Sequence, residues 1–383
     1  MAITHPDSEP VTKLARGNFR ELGEHLNRAF LRDDFMARLP AWYRPTDESM
    51  GRQYVVRRNG RIVASAGRFD LGWRVGGVWL RLAGVGGVAV HPDHAGRGLM
   101  RRVVDAVMRD IVGGGYHAAY LDGARLRYRH WGFEKAGCEA ELTVTTNSLA
   151  HQLDVTPDAV VPTLDPWRSA DLPDLRRLYQ RQPLTIDHPP EDFAHRLNHW
   201  RHEVCVLRDT RGAAVAYAGL DRATQTVHEL GVDDPSRLDG LVVALHRELG
   251  GVVRFRRVVL LDGVFLRLRD LSDAVTLREA GGWRVLDMPR VLTALLRLKQ
   301  EHQSLAPGRL VVRLTDRRQT VRLETTGGMP ACVATDEPAE LDTSGDALLQ
   351  ALTGPVPTRL RDPAGLLDAW RPLPLGLLMQ DRM

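Results

Sequence analysis

The chain of 383 residues is too long for one ordinary hydrophobic core, so its length predicts two or three domains. Its composition, 43% hydrophobic and 26% charged residues, is typical of a soluble globular protein and excludes a disordered chain. The formal net charge is +4, but the basic residues are scattered among acidic ones, so we expect no nucleic-acid partner.

Neither a membrane span nor a secretion signal is indicated by the apolar stretches of the chain. The longest of them fall short of a bilayer span, and the N-terminal stretch MAITHPDSEPVTKL lacks the apolar core of a signal peptide. Three cysteines, Cys138, Cys205 and Cys332, lie far apart in the sequence without metal-binding spacing. We therefore expect a cytoplasmic protein with no membrane span and with buried, unpaired thiols.

The first part of the chain predicts a mixed sheet with helices. Its first helix carries four apolar residues on one face, namely Phe19, Leu22, Leu26 and Phe30. Strand-like runs divided by glycines follow over residues 52–90 and predict an antiparallel meander. The next helix has an apolar residue at every fourth position from Leu99 to Ile111 and ends at a glycine triplet. A strand, a short helix and a last strand complete this part.

A fainter copy of the same element order follows. Strand, helix, hairpin, strand, turn and helix succeed one another, and the turn carries Asp233, Asp234 and Asp239 where the first copy has glycines and arginines. A repeat is therefore predicted, in which one copy is equipped to bind an anion. The last part of the chain predicts a smaller domain with strands and two leucine-rich helical pieces at its end.

The stretch VAVHPDHAGRGLM, Val88 to Met100, is the strongest candidate for a ligand site. A helix N-terminus offers unpaired N–H groups, and glycines let a phosphate approach the backbone. Arginines in the first helical turn are unfavourable unless an anion binds there. The alternative is that Gly96 and Gly98 only shape a turn. Dinucleotide and nucleoside triphosphate loops are disfavoured, because Arg101 replaces the third glycine of the former and no Gly-Lys-Ser/Thr is present for the latter.

This stretch, together with Tyr128-Arg-His-Trp-Gly-Phe133, resembles the GNAT superfamily of acyl-CoA-dependent N-acyltransferases. The three-part layout is similar to the enhanced intracellular survival (Eis) family, which has two tandem GNAT units and a C-terminal domain resembling sterol carrier protein. The resemblance implies an α+β fold with an active GNAT domain at 1–155, a degenerate GNAT-like domain at 156–288 and a sterol-carrier-like domain at 289–383. The loop departs from the broad pattern at Ala95 and at Met100.

The resemblance also implies the site residues. Acetyl-CoA would contact eleven residues, namely Val88, Ala89, Val90, Gly96, Arg97, Gly98, Leu99, Met100, Arg101, Gly123 and Ala124. Tyr128 matches a general acid, and the terminal carboxylate of Met383 would be the general base. Taken from the residues alone, Tyr128 is equally an aromatic side chain packed over the sheet. No metal is implied.

The function implied by the resemblance is direct transfer of an acetyl group from acetyl-CoA to a primary amine, such as an aminoglycoside, a polyamine or a protein lysine, in a hexameric assembly. The alternative is a non-catalytic acyl-CoA- or lipid-binding protein. Asp33 and Asp34 lie where GNAT domains build the acceptor pocket, although exposed acids after a helix are ordinary. Three histidines at helical spacing, His195, His199 and His202, lack a carboxylate or cysteine to complete a metal site.

Overall fold

The computed structural model describes residues 9–153 and 162–383. The predicted domain boundary between residues 155 and 156 lies outside these ranges. The described residues form sheets of eight, seven and four strands with helices packed on them. The predicted mixed α+β fold class is confirmed.

The first third of the chain begins with a long antiparallel meander and continues through a helix. Its elements are β1 (Thr12–Lys13), α1 (Phe19–Phe30), α2 (Asp47–Met50), β2 (Gln53–Arg58), β3 (Arg61–Val75), β4 (Val78–Val90), α3 (Leu99–Gly113), β5 (Ala118–Leu121), α4 (Arg125–Tyr128) and β6 (Glu134–Lys135). The periodicity of α3 is confirmed, since its every-fourth apolar residues are buried. α1 packs on one face of the sheet and α3 on the other.

The middle of the chain repeats this order in shorter form. Its elements are β7 (Glu139–Thr145), α5 (Thr146–Gln152), β8 (Leu164–Pro166), α6 (Leu172–Gln180), β9 (Leu184–Asp187), α7 (Pro190–Leu197), β10 (Glu203–Arg208), β11 (Ala214–Asp221), β12 (Thr226–Val232), α8 (Leu238–Glu248), β13 (Val252–Arg257), α9 (Gly263–Asp270) and β14 (Ala274–Arg278). The sheet that it builds has the strand order β14-β7-β13-β12-β11-β10-β8. A parallel pair, β12 with β13, corresponds to the parallel pair β4 with β5 in the first sheet.

The last part of the chain supplies β15 (Gly282–Val285), α10 (Met288–His302), β16 (Arg309–Leu314), β17 (Gln319–Glu324), β18 (Ala331–Ala334), β19 (Leu341–Thr343), α11 (Gly345–Thr353) and α12 (Leu366–Trp370). The third sheet has the order β18-β17-β16-β19. Beyond α12 the predicted helix does not continue, because Pro372 and Pro374 have no N–H to donate. The tail, residues 371–383, instead runs without regular structure to a short 3₁₀ turn at Met379–Asp381.

The first sheet takes strands from later parts of the chain. β15 inserts between β5 and β6, and β9 pairs with β3, although both follow the first third of the chain. The strands of the second sheet all come from residues 139–278. The first sheet is therefore built from separate segments of the chain. The residue limits 1–155, 156–288 and 289–383 stay a prediction.

Membrane-spanning segments were sought among the helices of residues 9–153 and 162–383. None of these helices combines the length and the apolar character needed to cross a bilayer. The three cysteines are buried and unpaired, as predicted.

We predict that Gly137→Ala destabilises the fold at the place where the tail crosses the link between β6 and β7. Gly137 has φ +75°, and a Cβ there would overlap the carbonyl oxygen of Leu375 in the tail. The expected loss of stability is about 2–4 kcal/mol, measured as a lower midpoint of urea denaturation. Gly113→Ala is the control, because its Cβ meets no atom within 4 Å at the end of α3. Equal midpoints for the two variants would contradict the close approach of the tail.

Candidate active site

A gap opens between the parallel strands β4 and β5. The strands pair only from Leu82 with Ala118 to Gly84 with Tyr120, and β4 then continues to Val90 along β3 alone. The N–H group of His91 donates to β3 at 2.9 Å, and antiparallel pairs alternate in direction. The N–H group of Val90 therefore points away from β3 and into the gap, where it can donate to a ligand.

The loop between β4 and α3 forms the outer end of this gap. Gly96 and Gly98 have φ of +76° and +71°, and Gly98 is the N-cap of α3. A Cβ at either position would meet no atom within 4 Å. The two glycines are therefore required by the left-handed backbone and not by crowding. The space beside them is open to a ligand.

The start of α3 has positive charge without a compensating carboxylate. The first turn contains no acidic residue, although helix N-termini favour one. Arg97 and Arg101 are exposed and form no ion pair or hydrogen bond with the rest of the described chain. Backbone N–H groups and two free guanidinium groups thus converge on one loop. An anion such as a pyrophosphate could accept hydrogen bonds from the N–H groups and form ion pairs with the two arginines.

The corresponding loop of the second sheet satisfies its own charges. β12 and β13 also separate after a short parallel pairing, and α8 follows. Here Asp233 forms an ion pair with Arg237 at 2.9 Å, and Asp239 on α8 forms one with Arg267 at 2.6 Å. The Asp234 side chain accepts the N–H of Ser236 at 2.8 Å. The protein's own carboxylates therefore occupy the role that an external anion would have in the first loop.

The predicted cofactor-binding residues surround the first gap. They occupy the last three positions of β4 (Val88, Ala89 and Val90), the loop and first turn of α3 (Gly96, Arg97, Gly98, Leu99, Met100 and Arg101), and the segment after β5 (Gly123 and Ala124). Val88, Val90 and Met100 pack against the same apolar cluster as Leu99 and Tyr128. The structure thus brings residues from both sides of the gap to the α3 face of the sheet.

Tyr128 ends α4 and packs in the apolar cluster on the α3 face of the sheet. Its ring packs against Trp131, with 6.0 Å between centroids, and a Cβ at Gly123 would approach its Cε2 to 2.6 Å. Burial raises the pKa of the Tyr128 hydroxyl, so the group keeps its proton at neutral pH. This side chain is suited to give a proton rather than to take one.

Met383 lies on the opposite face of the same sheet. A Cβ at Gly86 would lie 3.3 Å from the carboxyl carbon of Met383, and a Cβ at Gly84 would lie 2.5 Å from its Sδ. Met383 is buried and belongs to the cluster on the α1 face, whereas Tyr128 belongs to the cluster on the α3 face. The predicted acid and the predicted base therefore flank the gap from two sides.

Sequence reasoning missed an aromatic wall on the α1 face. Phe69 lies between Trp42 and Tyr43, with centroid distances of 6.1 and 5.5 Å, and a Cβ at Gly87 would lie 2.5 Å from the Tyr43 hydroxyl. Burial raises the pKa of Tyr43 above its usual range. Glycines on β4 leave room for these rings. No spacing in the sequence marks them, because they come from different elements.

Asp34, one of the two acidic residues expected at the acceptor pocket, already has partners within the protein. Asp34 forms ion pairs with Arg38 at 3.1 Å and with Arg201 at 2.8 Å, so its charge is neutralised within the protein. Asp33 is exposed. Among the residues that could approach the α1 face, the aromatic rings therefore matter more than the two carboxylates.

The three histidines are used separately. His199 donates from Nδ1 to the Gln380 carbonyl at 2.6 Å and accepts the Ala41 N–H at Nε2, and burial lowers its pKa to about 3. His202 stacks on His228 with 4.2 Å between ring centroids. Within the described ranges, no group of three or more histidine, cysteine, aspartate or glutamate side chains could hold a metal ion.

The parallel strand pair that separates, the glycine-containing loop and the start of α3 all lie in the first third of the chain. Within this part, residues 11–136 match the family model described as an acetyltransferase (GNAT) domain. The match begins before β1 and ends just after β6, so it covers the first third of the chain, which we call the first unit. The second unit is residues 139–278, from β7 to β14, and the third begins at β15. No curated protein sequence matches the chain.

Solved structures resemble the chain over nearly its whole length. A conserved protein from Enterococcus faecalis V583, described as a probable N-acyltransferase, has 14% identity and a TM-score of 0.67, covering 97% of this chain and 99% of that chain. A GCN5-related N-acetyltransferase from Anabaena variabilis ATCC 29413 has 16% identity and a TM-score of 0.66, covering 96% and 98%. Eis1 from Mycobacterium abscessus has 18% identity and a TM-score of 0.63, covering 95% and 96%. At these identities the likeness is one of fold. The family match places the N-terminal domain in the acyltransferase class.

We predict that replacing both Arg97 and Arg101 by alanine weakens the binding of coenzyme A by about tenfold or more, since each exposed charge at the anion site contributes up to about 1 kcal/mol. Isothermal titration calorimetry at two salt concentrations measures the loss. The control is Arg109→Ala, an exposed arginine further along α3. If this variant loses as much affinity as the double variant, overall charge and not the loop governs binding.

Proposed function

We propose that this protein is an acetyl-CoA-dependent N-acetyltransferase that transfers the acetyl group to a primary amine. The observation that carries the proposal is the gap between β4 and β5, with its uncompensated positive loop at the outer end. Tyr128 and Met383 on opposite faces supply the two proton-transfer groups. Acceptors of three kinds suit the reaction, namely an aminoglycoside, a polyamine and a protein lysine.

The chain has groups for each part of the cofactor. The loop N–H groups and Arg97 and Arg101 would hold the pyrophosphate, and the end of β4 would pair with the pantetheine arm through its backbone. The N–H group of Val90 is suited to this pairing because it faces the gap. Gly123 and Ala124 would line the other side. Bound acetyl-CoA supplies the activated acyl group.

Transfer requires an uncharged amine, a polarised carbonyl and a protonated leaving thiolate. Tyr128 would donate a proton to the leaving sulfur, a step worth typically about 10²–10⁴-fold. The Met383 carboxylate would accept the amine proton from the other face, directly or through a water. A backbone N–H group at the end of β4 would stabilise the oxyanion.

Transfer is direct, within a complex of both substrates. A covalent acyl-enzyme would need a reactive thiolate, and the three cysteines are buried. Burial raises the pKa of Cys138 to about 11 and that of Cys205 to about 12. Neither is a nucleophile at neutral pH.

The preference for an acetyl group is supported by the glycine face of β4. An acyl chain leaving the gap towards this face would meet Met383 directly, because Gly84 and Gly86 carry no side chains and Met383 fills the space. We therefore expect a two-carbon acyl group to be preferred over longer ones.

Further features are proposed on the family resemblance alone. They are a cytoplasmic location, a homohexamer, a catalytically silent second GNAT-like unit and a sterol-carrier-like third domain. The domain limits 1–155, 156–288 and 289–383 belong to the same proposal. The second candidate function, a non-catalytic acyl-CoA- or lipid-binding protein, is separated from the first by turnover.

We predict that Tyr128→Phe lowers kcat by about 10²–10⁴-fold, because it removes the proton donor and keeps the ring. Release of coenzyme A with a polyamine acceptor measures kcat. Since burial raises the pKa of Tyr128, the alkaline limb that depends on it should lie above the ordinary tyrosine value of about 10. Tyr116→Phe is the control, a buried tyrosine whose hydroxyl bonds to Asp70.

If Tyr128→Phe keeps wild-type turnover, the assignment of the acid is wrong. If acetyl-CoA raises the melting temperature of the wild-type protein but none of the three acceptor kinds supports turnover, the non-catalytic function is favoured. If acetyl-CoA does not raise the melting temperature, both functions fail.

We predict that Met383→Ala widens the choice of acyl group while retaining a terminal carboxylate. The ratio of kcat/KM for butyryl-CoA to that for acetyl-CoA should rise by about tenfold, because the thioether no longer blocks the glycine face. Steady-state kinetics with a series of acyl-CoA esters measures the ratio. Met379→Ala, in the same tail but on the second unit, should leave it unchanged. A wild-type enzyme that uses butyryl-CoA as well as acetyl-CoA would contradict the prediction.

A further inference from the structure

The tail that delivers Met383 to the first unit is held by side chains of the second unit. Trp200 donates to the Met379 carbonyl at 3.0 Å, and His199 donates to the Gln380 carbonyl at 2.6 Å. Asp381 is then bound by three side chains of the second unit, namely Tyr179, His188 and Arg196. Three consecutive tail residues are thus fixed before the chain reaches β4.

Arg196 is the centre of this anchor. Its Nε donates to Asp381 at 2.6 Å and its Nη2 donates to the same carboxylate at 3.2 Å. On its other side, Nη1 and Nη2 donate to Glu229 on β12 at 2.9 and 2.5 Å. The planar guanidinium therefore joins β12 to the tail through two bidentate contacts, a geometry that fixes orientation as well as distance.

The anchor is completely enclosed. The side chains of Arg196, Glu229 and Asp381 have at most 1% exposure. Burial alone would raise the pKa of Asp381, but the charge of Arg196 and the hydrogen bond from His188 hold it well below its usual range. Asp381 is therefore ionised at neutral pH, where it accepts hydrogen bonds from Arg196 and Tyr179.

Stability does not account for such an arrangement. Taking three charges out of water costs free energy, and apolar side chains of similar volume commonly give an equally stable interior. What an ionic anchor adds is a defined position, because its donors and acceptors match in only one arrangement. The position defined here is that of the tail two residues before Met383.

We propose that Arg196 and Asp381 are positioning residues for the transfer reaction, through which the second unit sets the place of the Met383 carboxylate in the first unit's active site. This inference rests on the proposed function. A general base must lie within hydrogen-bond reach of its proton, and a misplacement of about 1 Å can cost about 10²-fold in rate. The anchor restricts the tail two residues before Met383, and Arg382, whose carbonyl accepts from Trp42 at 3.1 Å and whose guanidinium donates to Glu139, restricts it further.

The test compares Asp381→Asn with the wild-type chain and with a chain lacking Met383. Asp381→Asn keeps the volume of the side chain and weakens its hold on Arg196. We expect kcat to fall at least tenfold, while KM for acetyl-CoA changes by less than twofold, because the proposed cofactor residues lie on β4, in the loop and first turn of α3, and after β5. In the chain that lacks Met383, adding Asp381→Asn should cause no further loss, since the residue acts only through Met383.

The matched control is Asp171→Asn. Asp171 is a buried carboxylate of the same unit, paired with Arg208 at 2.7 Å, and it does not contact the tail. It should lower the melting temperature without changing kcat at a temperature where the protein is folded. If it lowers kcat as much as Asp381→Asn does, the anchor contributes only to stability and the proposal is overturned.

A second variant keeps the proposal testable if Asp381→Asn does not fold. Glu229→Gln weakens the grip on Arg196 from β12 without touching the tail, and we expect a smaller fall in kcat with the same constant KM. Its effect should also vanish in the chain that lacks Met383. A wild-type kcat for Glu229→Gln in that case would overturn the proposal.

The failure of this inference is distinguishable from the failure of the proposed function. If removal of Met383 leaves kcat unchanged, the carboxylate is not the base and the proposed mechanism is wrong. If removal of Met383 lowers kcat but Asp381→Asn folds and retains wild-type kcat, the mechanism holds and the positioning role is wrong. Additive losses from the two changes would likewise overturn the positioning role.

Discussion

The guanidinium of Arg196, held between Asp381 and Glu229, is the interaction on which the course of the tail depends. Both enclosed carboxylates depend on the one enclosed guanidinium for a partner of opposite charge, so losing any member of the set leaves buried polar groups unpaired. Because the set includes Asp381, the residues after it are delivered to a fixed point on β4. A contact between the second unit and the tail thereby helps to place Met383 on the α1 face of the first sheet.

The contrast between the two loops after the parallel strands follows from elementary electrostatics. Both end at a helix whose N-terminus carries partial positive charge. In the second unit, carboxylates such as Asp233 and Asp239 form ion pairs with nearby arginines, and the loop needs nothing from outside. In the first unit, Arg97 and Arg101 add to the positive charge with no carboxylate to balance it. The first sheet therefore has a loop whose positive charge a bound anion would balance. The loop of the second sheet is already balanced by its own carboxylates.

The sequence predicted the loop before α3 from local features, but it did not predict contacts between residues that are far apart in the chain. Gly96, Gly98 and the apolar positions of α3 could be recognised because backbone conformation and helix periodicity act over a few residues. The insertion of β15 between β5 and β6 could not, since strand pairing across 150 residues or so leaves no local pattern. The anchor joins residues 185 positions apart, and no local motif marks Arg196 or Asp381 as partners. The prediction of a helix in the tail was wrong beyond Trp370, because Pro372 and Pro374 have no N–H group to donate to a helix. The irregular path that the chain then follows has no local sequence pattern.

The irregular tail is itself a requirement of the architecture. Thirteen residues follow α12, and as an α-helix they would span only about 20 Å, whereas an extended chain spans about 43 Å at most. The tail leaves the third unit, passes Leu375 over Gly137, and then lies on the second unit before reaching Gly86 in the first. A helix could neither cover this path nor expose its carbonyls to Trp200 and His199. The irregular backbone therefore leaves the carbonyls of Met379 and Gln380 accessible to side chains of the second unit, and the pairing of β9 with β3 joins that unit to the first sheet.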